Sequence, residues 1–277
     1  MTQLSSVSLD RAAVAALAAD GAEVDRLVSD LDPAQWSRPT PAPGWTIGHQ
    51  IAHLAAVFRL AGMAASDPDG FTALTARLGP DFSANVEAAM AGYLAEPPAV
   101  LLERWRAERA GAERALGALP PDQLVPWLVR PLPAAVLACA GMMELFGHGQ
   151  DVADALGVTR TPTDRLGYLV GFAVRTWDFG YQARGLDTPD VQFRFEITAP
   201  SGARWEFGPA DSGERICGPA VDFCLLVTRR RHRDDLALTA SGSLADEWLT
   251  IAQAYRGPAG PGRRPGQFAP TGTGVRA

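Results

Sequence analysis

Glu144-Leu-Phe-Gly-His148-Gly-Gln-Asp151 lies inside a segment, Ala134 to Leu156, that is otherwise nearly continuous in apolar residues. Its length and the Gly157 that follows it predict a helix over 134–156. Residues four apart share one face of a helix, so Glu144 and His148 point the same way. A second polar pair stands in Gly44-Trp-Thr-Ile-Gly-His49-Gln-Ile-Ala-His53-Leu54. His53, Glu144 and His148 converging inside a helical bundle would be costly unless something binds them. A divalent cation is the simplest candidate.

Other helices can be read outward from this pair. Val14, Leu17, Val24, Leu27, Val28 and Leu31 form an apolar stripe that Asp32-Pro33 ends. Thr46 is the expected N-cap of a helix carrying His49, His53 and Leu60, and Asp67-Pro-Asp-Gly70 breaks the chain after it. A weaker helical segment runs from Phe82 to Leu94. Pro97-Pro98 starts a stronger helix through Trp105 and Leu116, which Pro120-Pro121 closes. Four main helices with a polar cluster inside them fit a four-helix bundle.

The second half changes character. A helix is expected from Thr163 to about Ala183, followed by alternation at Val191, Phe193, Phe195 and Ile197. Pro200-Ser-Gly202 then turns into Ala203, Trp205 and Phe207, the pattern of a hairpin. Gly218 to Thr228 reads as helix, Leu236 to Thr239 as extended, and Leu244 to Tyr255 as helix again. The fold class is therefore α+β, a helical bundle over 1–160 and a smaller α+β domain over 161–257. A tail over 258–277, rich in Gly, Pro and Arg, is expected to be disordered.

Composition narrows the chemistry. The net charge is −6, which disfavours wholesale binding to nucleic-acid phosphates. All 25 formal positive charges are Arg; with no lysine, Schiff-base chemistry is excluded. No run of about 18 uninterrupted apolar residues predicts a membrane span, and Met1 to Ser8 lacks the pattern of a secretory signal, so a cytoplasmic location is expected. The three cysteines, Cys139, Cys217 and Cys224, form no close pair and read as small core residues. P-loop, GxGxxG and GxSxG motifs are absent.

Imidazole nitrogen and carboxylate oxygen suit Zn²⁺, and also Fe²⁺, Ni²⁺ or Mn²⁺. Two His and one Glu leave a position open for water or substrate, as catalytic sites require. Asp151, three residues past His148, could orient the His148 ring from behind. The plainer reading of Glu144 and His148 is a hydrogen-bonded pair on a helix surface, because a Glu-x-x-x-His spacing is common.

The surrounding residues favour the metal. Thr40-Pro-Ala-Pro-Gly44-Trp45-Thr46, then His53-Leu54, then Glu144-x-x-x-His148-Gly149-x-Asp151-Val-x-Asp154-Ala-Leu-Gly157, resemble the DinB-like metal-binding superfamily. Within it the chain looks most like the mycothiol-dependent maleylpyruvate isomerase group. The resemblance implies a four-helix bundle with His53, Glu144 and His148 as metal ligands, Zn²⁺ foremost. Gly218-x-Ala220-x-Asp222-Phe-x-Leu-Leu followed by Arg229-Arg-Arg resembles the C-terminal domain of that group, which is similar to sterol-carrier-protein folds. The likeness covers most of residues 9 to 257. Its metal motifs are specific, whereas nothing in it names a substrate.

What it implies is a metal-dependent isomerase or transferase using a low-molecular-weight thiol, mycothiol, on a small activated substrate. Two alternatives stand beside that reading. One is a thiol-independent metal enzyme of a biosynthetic pathway (a lyase, cyclase or hydrolase); the other is a non-enzymatic binder of an apolar ligand with a structural metal. His49 departs from the family pattern and reads as a fourth ligand, an acid/base group or a partly exposed helix residue. Arg229, Arg230 and Arg231 read either as a solvated helix end or as a clamp in which one arginine, Arg230 among them, pairs with a carboxylate of thiol or substrate. Trp45 could wall the pocket. A homodimer is the default oligomer.

Overall fold

The computed structural model describes residues 12–128 and 130–268. They fall into two compact units, one ending at Phe172 and the other beginning at Ala173. The division falls within helix α7 (Leu166–Arg175), where the change of sequence pattern led to a boundary expected after residue 160.

The first unit is built on α1 (Ala12–Val28), α2 (Ile47–Ser66), α5 (Pro98–Gly117) and α6 (Ala134–Leu156). These pack as a four-helix bundle, α2 against α5 and α6, and α1 against α5 and α6. Shorter helices α3 (Pro68–Thr75) and α4 (Phe82–Leu94) lie against α2. Local chemistry explains the ends of several helices. Asp67 closes α2, then caps α3 by accepting from the Gly70 amide at 3.0 Å. Asp81 accepts from the amides of Ser83 and Ala84 to open α4. Gly157 ends α6 at φ 70°, a left-handed conformation that a residue with a side chain resists.

Apolar burial holds the bundle together. Ile47, Ile51, Leu54 and Phe58 of α2 are buried, as are Leu101, Trp105 and Ala112 of α5, the helix packed against it. Phe58 meets the Trp105 ring edge-on at 5.4 Å between centroids. Gly149 lets α1 come close to α6, since a Cβ there would stand 2.9 Å from Val24 Cγ2. A two-stranded ribbon, β1 (Leu124–Val125) with β2 (Leu132–Pro133), precedes α6.

The second unit carries a four-stranded sheet of order β4-β3-β5-β6. β3 (Arg194–Thr198) and β4 (Arg204–Phe207) form the expected antiparallel hairpin, with Phe195 opposite Phe207 and Ile197 opposite Trp205. β5 (Arg215–Pro219) pairs parallel with β3 and antiparallel with β6 (Thr239–Ser241). Phe193, Phe195, Phe223 and Trp248 form an aromatic core with ring centroids 5.4 to 6.1 Å apart. The less buried Glu196 takes Arg194, Arg204 and Arg215 at 3.0–3.2 Å, a cross-strand ion-pair ladder.

Three expectations for this half are corrected. The helix predicted over 163–183 is broken: α7 stops at Arg175, and α8 (Phe179–Gln182) follows a turn. Tertiary contact accounts for the break, because the carbonyl of Trp177 accepts from the Trp248 indole at 2.9 Å. The segment from Gly218 begins as strand, and helix α9 (Ala220–Val227) starts only after Pro219. Helix α10 (Ser243–Ile251) stops short of Tyr255 because Ala254 donates its amide to the Val227 carbonyl. In the tail expected to be disordered, residues 258–268 form no helix or strand. The Gly266 amide reaches Asp235 at 2.8 Å, and Phe268 lies under Arg231. Residues 269–277 of that tail lie outside the described residues.

Candidate metal centre

Two helices bring three donors to one point. His53 projects from the second turn of α2, and Glu144 and His148 from one face in the middle of α6. His53 Nε2 lies 3.4 Å from Glu144 Oε2, and His148 Nε2 lies 3.2 Å from the same oxygen. One ligand atom from each residue falls within 4.8 Å of the others. The imidazole centroids are 4.4 Å apart. The side chains keep 13 to 21% of their surface exposed, so the cluster is reachable rather than sealed.

The electrostatics suit a cation. Burial pushes the Glu144 carboxyl up, but hydrogen bonds from His148 and His53 outweigh it and hold the group well below the usual carboxylate range. Two nitrogen donors and an anionic oxygen aimed at a common volume are a ligand set that a divalent cation satisfies.

Other side chains surround this set. The half-buried indole of Trp45 covers one side, its ring 5.8 Å from His148 and 5.4 Å from His53 between centroids and stacked on the former. Gln50, fully buried one turn before His53, faces the His148 ring, with Oε1 2.5 Å from Nδ1. Asp151, also fully buried, lies 3.5 Å from the Gln50 amide nitrogen. Gln50 thus lies between the His148 ring and Asp151, the residue expected to orient that ring. Sequence reasoning passed over Gln50; the signal was a polar residue in the buried run Ile47 to Leu54.

His49 stands outside the ligand cluster. It occupies the N3 position of α2, where its Nδ1 lies 2.8 Å from Thr46 Oγ1 and 3.3 Å from the Thr46 amide, completing a capping box. Its ring packs 6.3 Å from Trp45. The arginine run belongs to the sheet-containing unit. Arg229 takes φ 58° and, with the Arg230 amide bonded to the Leu225 carbonyl, closes α9 as a glycine ordinarily would. Arg230 donates from Nη1 to the Thr228 carbonyl at 2.6 Å, and Arg231 stacks over Phe268 at 3.7 Å.

Comparison with known proteins adds three findings. Residues 17–153 match the family model for the mycothiol maleylpyruvate isomerase N-terminal domain, and residues 189–241 match one described as wyosine base formation. Uncharacterized proteins from two strains of Mycobacterium tuberculosis, H37Rv and CDC 1551, are 43% identical over 250 residues, spanning 90% of this chain and 97% of theirs. The fold is similar to the crystal structure of a histidine-to-alanine mutant of the mycothiol-dependent maleylpyruvate isomerase. The TM-score is 0.55 at 18% identity, over 87% of this chain and 96% of that one. A second crystal structure of the mycothiol-dependent maleylpyruvate isomerase has a TM-score of 0.52 at 18% identity, over 82% of this chain and 91% of that one.

Proposed function

Since the chain belongs to the mycothiol maleylpyruvate isomerase N-terminal domain family, we propose that it is a divalent-metal enzyme using mycothiol to isomerise, or to form an S-conjugate of, a small activated substrate. One observation carries this reading: His53, Glu144 and His148 aim their donor atoms at one volume beside Trp45, with part of each side chain open to solvent.

His53 and His148 would hold the cation through Nε2 and Glu144 through a carboxylate oxygen. When bound, a divalent ion supplies Lewis acidity that favours the thiolate form of a thiol reaching it, with Zn²⁺ the first candidate. Trp45 limits the approach to one side and excludes water from the face it covers. His49, one turn before His53, is assigned as the acid/base that moves a proton to or from substrate. Arg230 is assigned to pair with an anionic group of thiol or substrate, with Arg229 and Arg231 as its neighbours in the same cationic run. Among the described residues no helix is long and apolar enough to cross a membrane. Cys139, Cys217 and Cys224 are not joined in disulfides, which agrees with a reducing, cytoplasmic setting.

The test is elemental mass spectrometry on wild type and His148→Ala purified identically, followed by turnover with and without mycothiol. Near-stoichiometric metal lost in the variant, with turnover that requires the thiol, supports the assignment. A wild type that takes up no metal on reconstitution sinks it. Undiminished turnover without thiol removes mycothiol from it.

A further inference from the structure

The polar contacts behind His148 fix a proton. Thr40 Oγ1 gives its single hydrogen to the Trp45 carbonyl at 2.9 Å, so toward Gln50 it can only accept. The Gln50 atom 2.9 Å from it is therefore the NH₂ group. Asp151 supports the same orientation independently, because its carboxylate oxygen, 3.5 Å from that nitrogen, also only accepts. Two acceptors on one side of the amide turn the carbonyl Oε1 to the other side, where it lies 2.5 Å from His148 Nδ1. A carbonyl oxygen needs a donor, so His148 carries its proton on Nδ1, and Nε2 is the atom left to coordinate.

We infer that Gln50 is a positioning residue: held by Thr40 and Asp151, it selects the His148 tautomer that offers Nε2 to the cation. The inference deepens the proposed metal reading and rests on it for its functional meaning. Metal-binding histidines commonly give the second ring nitrogen to a carboxylate or carbonyl that fixes tautomer and ring angle. Here a neutral amide takes that place, with the Asp151 carboxylate 3.5 Å from its nitrogen. Thr40 also ties this amide to the loop bearing Trp45, since the Trp45 carbonyl accepts from both the hydroxyl and the amide of Thr40. The wall of the site and the ring of its ligand are thus held by one hydroxyl.

The experiment measures Zn²⁺ affinity by chelator competition and the His148 ring by long-range ¹H–¹⁵N correlation. The samples are full-length wild type, Gln50→Leu, and the exchanged pair Gln50→Glu with Asp151→Asn. Gln50→Leu is expected to bind Zn²⁺ about 10- to 100-fold more weakly. It should also lose the Nδ1–H signal that wild type shows in the Zn²⁺-loaded state. In the exchanged pair an amide at 151 donates to an acceptor at 50 that still faces Nδ1, and the Thr40 hydroxyl turns its hydrogen from the Trp45 carbonyl to that acceptor. Affinity should return to within a few-fold of wild type, a recovery that a merely space-filling role would not produce. A folded Gln50→Leu with unchanged affinity and an unchanged Nδ1–H signal overturns the assignment. If Gln50→Leu does not fold, Thr40→Val with Asp151→Leu decides: with both acceptors removed the Gln50 amide is free to turn, which should weaken Zn²⁺ binding, and an unaltered affinity and ring signal count against the inference. If wild type binds no Zn²⁺, the metal reading fails separately. The ring spectra of zinc-free wild type and Gln50→Leu then test the tautomer directly, and identical spectra overturn it.

Discussion

His49 and His53 stand one turn apart on α2, and their surroundings give them different work. The first spends Nδ1 on Thr46, where it takes the place that Glu or Gln holds in most capping boxes. The second turns Nε2 toward Glu144. His53→Ala is therefore expected to abolish metal uptake, while His49→Ala keeps near-stoichiometric metal and alters turnover and its pH profile. Loss of metal in His49→Ala would make it a fourth ligand instead. Thr46→Ala removes the cap oxygen and should cost about 1 kcal/mol, read from denaturant melts. That Glu144 and His148 share a face was legible from helical periodicity, and the resemblance to a metal-binding family joined His53 to them as a candidate site. Gln50 was not, because which of several polar neighbours meets a ring depends on how two helices dock.

At the scale of elements, α4 and α5 are joined by a buried phenol. Tyr93 donates to Glu108 at 3.0 Å and lies under Arg104 at 4.1 Å. Burial first, and then the Glu108 charge, push its pKa up to about 12. An acid raised in this way keeps its proton in the folded state after the unfolded chain has lost it. The contribution is fully present below about pH 10, the unfolded value, and drains away as pH rises toward 12. Wild type should lose roughly 2 kcal/mol across that interval, and Tyr93→Phe should flatten the slope of stability against pH. α8 and α10 meet by close backbone approach: a Cβ on Gly180 would stand 2.2 Å from the Ile251 carbonyl oxygen. Gly180→Ala is expected to destabilise the chain by about 1–3 kcal/mol in denaturant melts, since a main-chain atom cannot swing aside. The break between α7 and α8 was invisible to periodicity for a related reason. Its cause, the Trp248 indole on the Trp177 carbonyl, comes from a residue far along the chain.

For the molecule as a whole, all three proposed ligands come from α2 and α6 of the bundle. Zn²⁺ at about a hundred times its dissociation constant should stabilise the native state by about 2.7 kcal/mol. In hydrogen exchange the added protection should concentrate in α2 and α6 and leave β3 to β5 little changed. His148→Ala should show neither effect, and uniform protection over both units would argue against a site confined to the bundle. The sequence by itself determined the α+β class, the spans of α2, α4, α5 and α6 to within a few residues, the hairpin of β3 and β4, and the three candidate ligands. The class, spans and hairpin follow from caps, prolines and the 3.6- and 2-residue periods, which are local, and the ligand set from the motifs shared with a metal-binding family. Tertiary structure alone decided that β5 joins β3 in parallel, that α7 ends at Arg175, that Arg229 closes α9 in a left-handed conformation, and that Gln50 reaches the His148 ring. Each depends on the pairing of groups distant in the chain or on backbone geometry that side-chain pattern does not encode, and a buried polar group is satisfied by whichever partner packing brings within reach.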